Sequence, residues 1–176
     1  HLDGLADTVD ALASSYDKDR ALAVARTGDV GPAGATALVL VMLVQTAAAG
    51  AFSQLAWGPV LLGFYWCAAR AAASIALRRG VRPAREDGLG QTFAESVPLP
   101  AVIGLWLLLT AAATAITVVI GQSPWAGPAA MIGAVTGSLV LVRRVTQRLG
   151  GIIGDAVGAV VEVAFAAMLV LALAFA

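Results

Sequence analysis

The sequence predicts an all-α fold: a polytopic membrane helical bundle of five transmembrane helices, preceded by a helix outside the bilayer. Three observations carry this. Of the 176 residues 60% are hydrophobic and only 12% charged, with a mean hydropathy of +0.87, where a soluble domain carries about 25% charged residues. The charges are segregated, with no Asp, Glu, Lys or Arg in 30–69 or in 96–142. Each uncharged run accommodates two spans of about 20 residues, and each is broken near its middle by a Gly/Pro/Trp cluster, at 50–59 and 121–128.

The chain opens HLDGLADTVDAL, in which Asp3, Asp7 and Asp10 fall at i, i+4 and i+7. On a helix they form one stripe of carboxylates, which repel one another. Asp is favoured at helix starts for capping and for the dipole, but that does not account for a third Asp at the second turn. A bound divalent cation does. The spans follow at 32–51, 57–78, 98–120, 126–143 and 156–176. The clusters between them suit interfacial turns, with Trp57 and Trp125 at headgroup depth.

Ten of the eleven basic residues lie in 1–31, 78–97 and 143–155, and ten of the eleven acidic ones do too. The exceptions are Arg70 and Glu162, each inside a span. With five spans these segments share one side, which the positive-inside rule makes cytoplasmic. Residue 1 is then cytoplasmic and Ala176 lies opposite. Polar chemistry confined to one face favours an enzyme over a transporter, which places polar groups at the midplane. One Cys and one His exclude a zinc site of the usual ligand count. Oxygen ligands predict a hard cation, Mg²⁺ with Mn²⁺ as the alternative. Zero net charge and the lack of a basic stripe predict no nucleic-acid partner. Residues 1–176 read as a single transmembrane catalytic domain, and a start inside a motif predicts upstream helices that this sequence lacks.

Three further stretches carry candidate chemistry. In 26–34, Arg26, Gly28 and Asp29 precede a span, where glycines admit close backbone approach and the helix start favours anions. In 78–90, topology is the readier explanation for any one arginine, and Arg85, standing before a Gly-bearing turn, is the candidate for function. In 150–162, Gly154 and Asp155 open the last span, with Asp155 as its expected N-cap. Glu162 lies on the same face about 10 Å deeper. A carboxylate within a span marks function, and Arg70 is its natural opposite in charge, so a structural ion pair between them is the competing account. Ala33, Gly34, Gly158 and Ala159 would let the first and last spans pack closely.

With these motifs in place (HLDGLADTVDAL, R-x-G-D-V-G-P-A-G, A-R-x-x-G-L-G and G-G-x-x-G-D-x-x-G-A-x-x-E), the chain resembles the cobalamin-5′-phosphate synthase, or adenosylcobinamide-GDP ribazoletransferase, family along its whole length. Two positions depart from the family pattern: Ala11 replaces a Gly after Asp10, and Phe165 stands where an acidic residue is common. The resemblance implies a transferase of late cobalamin (vitamin B12) biosynthesis in the bacterial cytoplasmic (inner) membrane. It joins α-ribazole or its 5′-phosphate to adenosylcobinamide-GDP and releases GMP. As catalytic residues it suggests Asp7, Asp10 and Asp29. Asp3, Asp7, Asp10, Asp155 and Glu162 are then metal ligands, and Arg26, Gly28, Arg70, Arg85 and Gly154 substrate contacts. A homo-oligomer is compatible with the sequence. The alternatives are a CDP-alcohol phosphotransferase making phospholipid and a membrane transporter. The first needs an Arg after the Ala of D-G-x-x-A, where this chain has Asp7.

Overall fold

The computed structural model describes residues 1–14 and 16–175, except for the side chain of Leu89. The expected placement of Ala176 lies outside the described residues. The helices are α1 (Leu2–Ser14), α2 (Lys18–Val24), α3 (Pro32–Phe52), α4 (Gly58–Ala69), α5 (Ala72–Ala76), α6 (Gly88–Phe93), α7 (Leu99–Val119), α8 (Ala126–Leu149) and α9 (Gly154–Ala174). Among the described residues, five spans are long and apolar enough to cross a membrane: α3, the run Gly58–Ala76 formed by α4 and α5, α7, α8 and α9. The protein is therefore an all-α, multi-pass membrane protein.

Proline in the first turn starts α3, α4 and α7, where its missing N–H costs nothing. The run Gly58–Ala76 tightens at its centre, where Arg70 N–H bonds to the Cys67 carbonyl and Ala71 N–H to that of Ala68, an i→i−3 pattern. α8 continues beyond the span end expected at 143, so Arg143, Arg144 and Arg148 lie on its last turns rather than in a loop. The cause is Val142, Val145 and Leu149, buried at i, i+3 and i+7, which hold the helix to the core past the last charges. Gly150, at φ +77°, then ends α8 in the left-handed conformation.

α9 is the most buried of the spans and α3 the least. α8 approaches α9 through glycines: a Cβ on Gly137 would lie 3.2 Å from Val163, and one on Gly133 would strike Leu171. α3 and α9 also pack together, but α1 packs on both of them. Gly34 faces Ala6 and Asp10 of α1, and Gly158 faces His1. The glycines expected to bring two spans together instead admit the N-terminal helix against each. The segment between α5 and α7 is held to the α8–α9 connection by Ala84 N–H donating to the Ile152 carbonyl (2.9 Å) and Ile152 N–H to that of Arg82 (2.8 Å).

Candidate active site

The site forms where α1 meets the start of α9. Gly4 makes this possible, since a Cβ there would lie 2.5 Å from the carbonyl oxygen of Asp155. Asp3 and Asp7 flank Gly4 on the helix and are thereby brought to Asp155, more than 140 residues away in sequence. The three expected stripe members differ sharply in burial: Asp3 is exposed, Asp7 half-buried and Asp10 buried. Burial first, then the charges of Asp3, Asp155 and Asp10, push the Asp7 carboxyl above its ordinary range.

Asp10 accepts hydrogen bonds from Gly31 N–H (2.7 Å) and Gly34 N–H (2.8 Å). It therefore caps α3 from another helix, offsetting the dipole and two orphan donors of the first turn. Any side chain at Gly34 would collide with that carboxylate. Asp29, expected at this helix start, is instead exposed in the connection before it, with Gly28 at φ +71°. The N-cap of α9 is Ile153, and Asp155 occupies its first turn, with no side-chain cap bond at that helix start.

Two hollows meet at Gly154 and Asp155. One, of about 380 Å³, is lined by Arg26, Arg85, Asp87, Gln91 and the backbone of 152–154. The other, of about 330 Å³, is lined by His1, Asp3, Gly4, Phe93 and Gly158. Both arginines of the cleft thus line one hollow, with Asp87 beside them, while Asp3 lines the other; Asp155 and the free N–H groups of a long helix lie between. Arg85 donates to the Leu22 carbonyl (2.6 Å), and its Nε is buried with no partner. Burial, then Arg26, pull this guanidinium below its ordinary value, while Asp155 and Asp87 oppose the shift. Arg26 forms an exposed pair with Asp87 (2.5 Å).

Glu162 is buried, and it does not make the ion pair with Arg70 that is the competing account. Gln45 of α3 donates to it (2.8 Å), and His1 Nδ1 lies 3.8 Å away. Arg70 instead bonds the Trp66 carbonyl and covers the Trp66 ring at 4.1 Å, and is not among the residues lining the cleft. Sequence reasoning passed over Gln45, although an amide within an apolar span is itself a signal, and over Gln91 and Asp87 of the cleft wall. Among the described residues, no three Asp, Glu, His or Cys side chains converge into a preformed metal centre. Asp3 and Asp155 line the cleft, and Asp7, which lines neither hollow, lies near enough to feel both charges; all three supply only oxygens, a donor set that suits a hard cation.

Fold and site together define a multi-pass membrane protein with a two-part polar cleft at one end of its bundle, arginines in one hollow and Asp3 in the other. Residues 1–173 match the cobalamin-5-phosphate synthase family. An adenosylcobinamide-GDP ribazoletransferase of Nocardioides sp. is 43% identical over 169 residues, covering 96% of this chain and 63% of that protein. Proteins of the same name from Citrobacter koseri and Geotalea daltonii are 33% identical and 35% identical. The first covers 92% of this chain and 64% of its own length; the second covers 92% and 62%. The chain thus spans a little under two thirds of the curated relatives it matches. No solved structure matches it. The chain belongs to the cobalamin-5-phosphate synthase family.

Proposed function

We propose that this chain carries the catalytic cleft of an adenosylcobinamide-GDP ribazoletransferase, acting at the cytoplasmic face of a bacterial inner membrane. The observation that carries the reading is the divided cleft at the start of α9, which suits a pyrophosphate substrate on the arginine side and a hydroxyl nucleophile on the carboxylate side. A ribose hydroxyl of α-ribazole, or of its 5′-phosphate, attacks the phosphorus attached to the cobinamide arm. The new O–P bond forms as the bond from that phosphorus to the bridging oxygen breaks, and GMP departs with the electron pair.

Each residue has a stated task. Arg85, held by the Leu22 carbonyl and lining the hollow, clamps non-bridging oxygens. Arg26 adds positive charge beside it, and Gly154 offers backbone N–H groups to phosphate. Asp7 takes the proton of the attacking hydroxyl. Asp3, Asp7 and Asp155 would hold Mg²⁺ (or Mn²⁺), which when bound neutralises charge developing on the bridging oxygen. Asp10 orients α1 against α3. Its oxygens retain lone pairs beyond the two cap bonds, so capping and metal contact are compatible. Glu162 supports the wall from behind His1, and Asp29 and Gly28 serve as outer contacts to the large substrate, whereas Arg70, engaged with Trp66 away from the cleft, takes no part in it.

The test is direct. The protein reconstituted in liposomes, given adenosylcobinamide-GDP, α-ribazole and Mg²⁺, is expected to release GMP in step with the joined corrinoid. Release of GMP without α-ribazole, or flux of either substrate across the bilayer without GMP, overturns the reading.

A further inference from the structure

Away from this cleft, two cavities join on another side of the molecule. One, of about 300 Å³, is an apolar groove between α5, α7 and α8, walled by Leu99, Val102, Trp106 and Leu139. The other, of about 460 Å³, lies at the charged end of α8 and is lined by Arg78, Arg82, Arg143 and Thr146. Arg78 and Leu139 line both, so the basic hollow adjoins the apolar groove. Neither shares a lining residue with the candidate active site.

The dimensions and charges specify an occupant. The groove follows α7 from Leu99 to Thr110, a rise of about 16 Å at helical pitch, which is half of a hydrocarbon core of about 30 Å. It therefore crosses one leaflet and stops. Its polar end holds three guanidinium groups and no lining carboxylate; the nearby Glu95 is engaged by the Gly80 N–H (3.1 Å). Topology alone supplies arginines at this end of the bundle, but it does not supply an adjoining apolar groove of leaflet length.

We propose that this composite cavity binds one anionic phospholipid, with its phosphate between Arg78, Arg82 and Arg143 and an acyl chain along α7. The lipid then fills the space between α5, α7 and α8 and fixes the Arg-rich end of α8, which leads through Gly150 directly into the site-forming start of α9. Such a lipid acts as a structural ligand, distinct from the substrates.

Native mass spectrometry of the delipidated protein tests this, with phosphatidylglycerol, phosphatidylcholine or glycerol phosphate added. One phosphatidylglycerol is expected to remain per chain, with phosphatidylcholine retained at least about tenfold more weakly. The double variant Arg82→Glu/Arg143→Glu changes two exposed side chains and is expected to lose that preference. Leu139→Trp fills the groove from a half-exposed position and is expected to lose the lipid without changing the helical circular dichroism. Equal retention of both lipids overturns the proposal. So does undiminished binding in either variant, and so does displacement of the lipid by millimolar glycerol phosphate, which would mark a site for soluble anions.

Discussion

Asp7 and Asp10 are three residues apart on one helix, and the structure gives them opposite physical situations. Asp7 is partly buried and, in addition, crowded by like charges, so the folded state holds its proton more tightly than the unfolded chain does. In the metal-free protein its contribution therefore destabilises as pH rises from the ordinary carboxylate value of 3.8 through the raised folded value. Asp7→Asn is expected to raise the Tm of the metal-free protein at neutral pH while lowering transferase activity by at least about 10²-fold. Mg²⁺ is expected to raise the Tm of the unaltered protein and not that of the variant; equal Mg²⁺ shifts in both would remove Asp7 from the ion. Asp10, by contrast, satisfies two backbone donors of α3. Asp10→Ala strands both, at a cost of about 1–3 kcal/mol, and is expected to lower the Tm with or without Mg²⁺. A variant as stable as the parent would show that water replaces the cap. The stripe itself is legible in the sequence as a helical spacing. The division of labour within it is not, because it depends on Gly31 and Gly34, 21 and 24 residues away in sequence from Asp10.

At the scale of elements, the site is an assembly of helix ends. α1 lies against the first turn of α9 only because Gly4 lacks a side chain, since even a methyl there meets Asp155 backbone at 2.5 Å. Backbone cannot yield as a flexible side chain can, so the helices must separate. Gly4→Ala is expected to reduce GMP release by at least about tenfold, the scale on which misplacing reacting groups costs rate, while α-helical content stays constant. Full activity would mean that the Asp3–Asp7–Asp155 arrangement tolerates displacement and is not the working geometry. The spacing of Asp155 and Glu162 on α9 is readable from sequence, and so is the cost of a carboxylate in a span. The partner of Glu162 is not, because helical phase alone does not say which neighbouring helix supplies it. Gln45 comes from α3, while Arg70 turns to Trp66 on its own helix.

The whole molecule has a definite polarity. The starts of α3, α7 and α9 and the ends of α5 and α8 share one end, together with α1, α2 and α6, and the uncharged connections after α3 and α7 share the other. In a background lacking Cys67, cysteines at Gly88 and Gly121 are expected to react with an impermeant reagent from opposite sides of sealed vesicles, Gly88 from the cytoplasmic side. Both glycines have positive φ and open surroundings, so the labels also report strain through any loss of expression. Reaction of both from one side would dismantle the five-span topology and the one-faced cleft with it.

The sequence by itself determined the class, the number of spans and the charged end, because a bilayer imposes a local requirement. About 20 apolar residues must follow one another to cross it, and each backbone group must be satisfied within its own helix. It also marked the family motifs and the carboxylates. Only the tertiary structure decided that α1 enters between α3 and α9, that Asp10 caps a span, that Asp29 stays outside, and that Arg26 and Arg85 share a hollow with Gly154. These depend on distances between segments remote along the chain, which are fixed by where glycines permit backbone contact. Local spacing holds no record of those distances, so the helices were readable one by one and their meeting point was not.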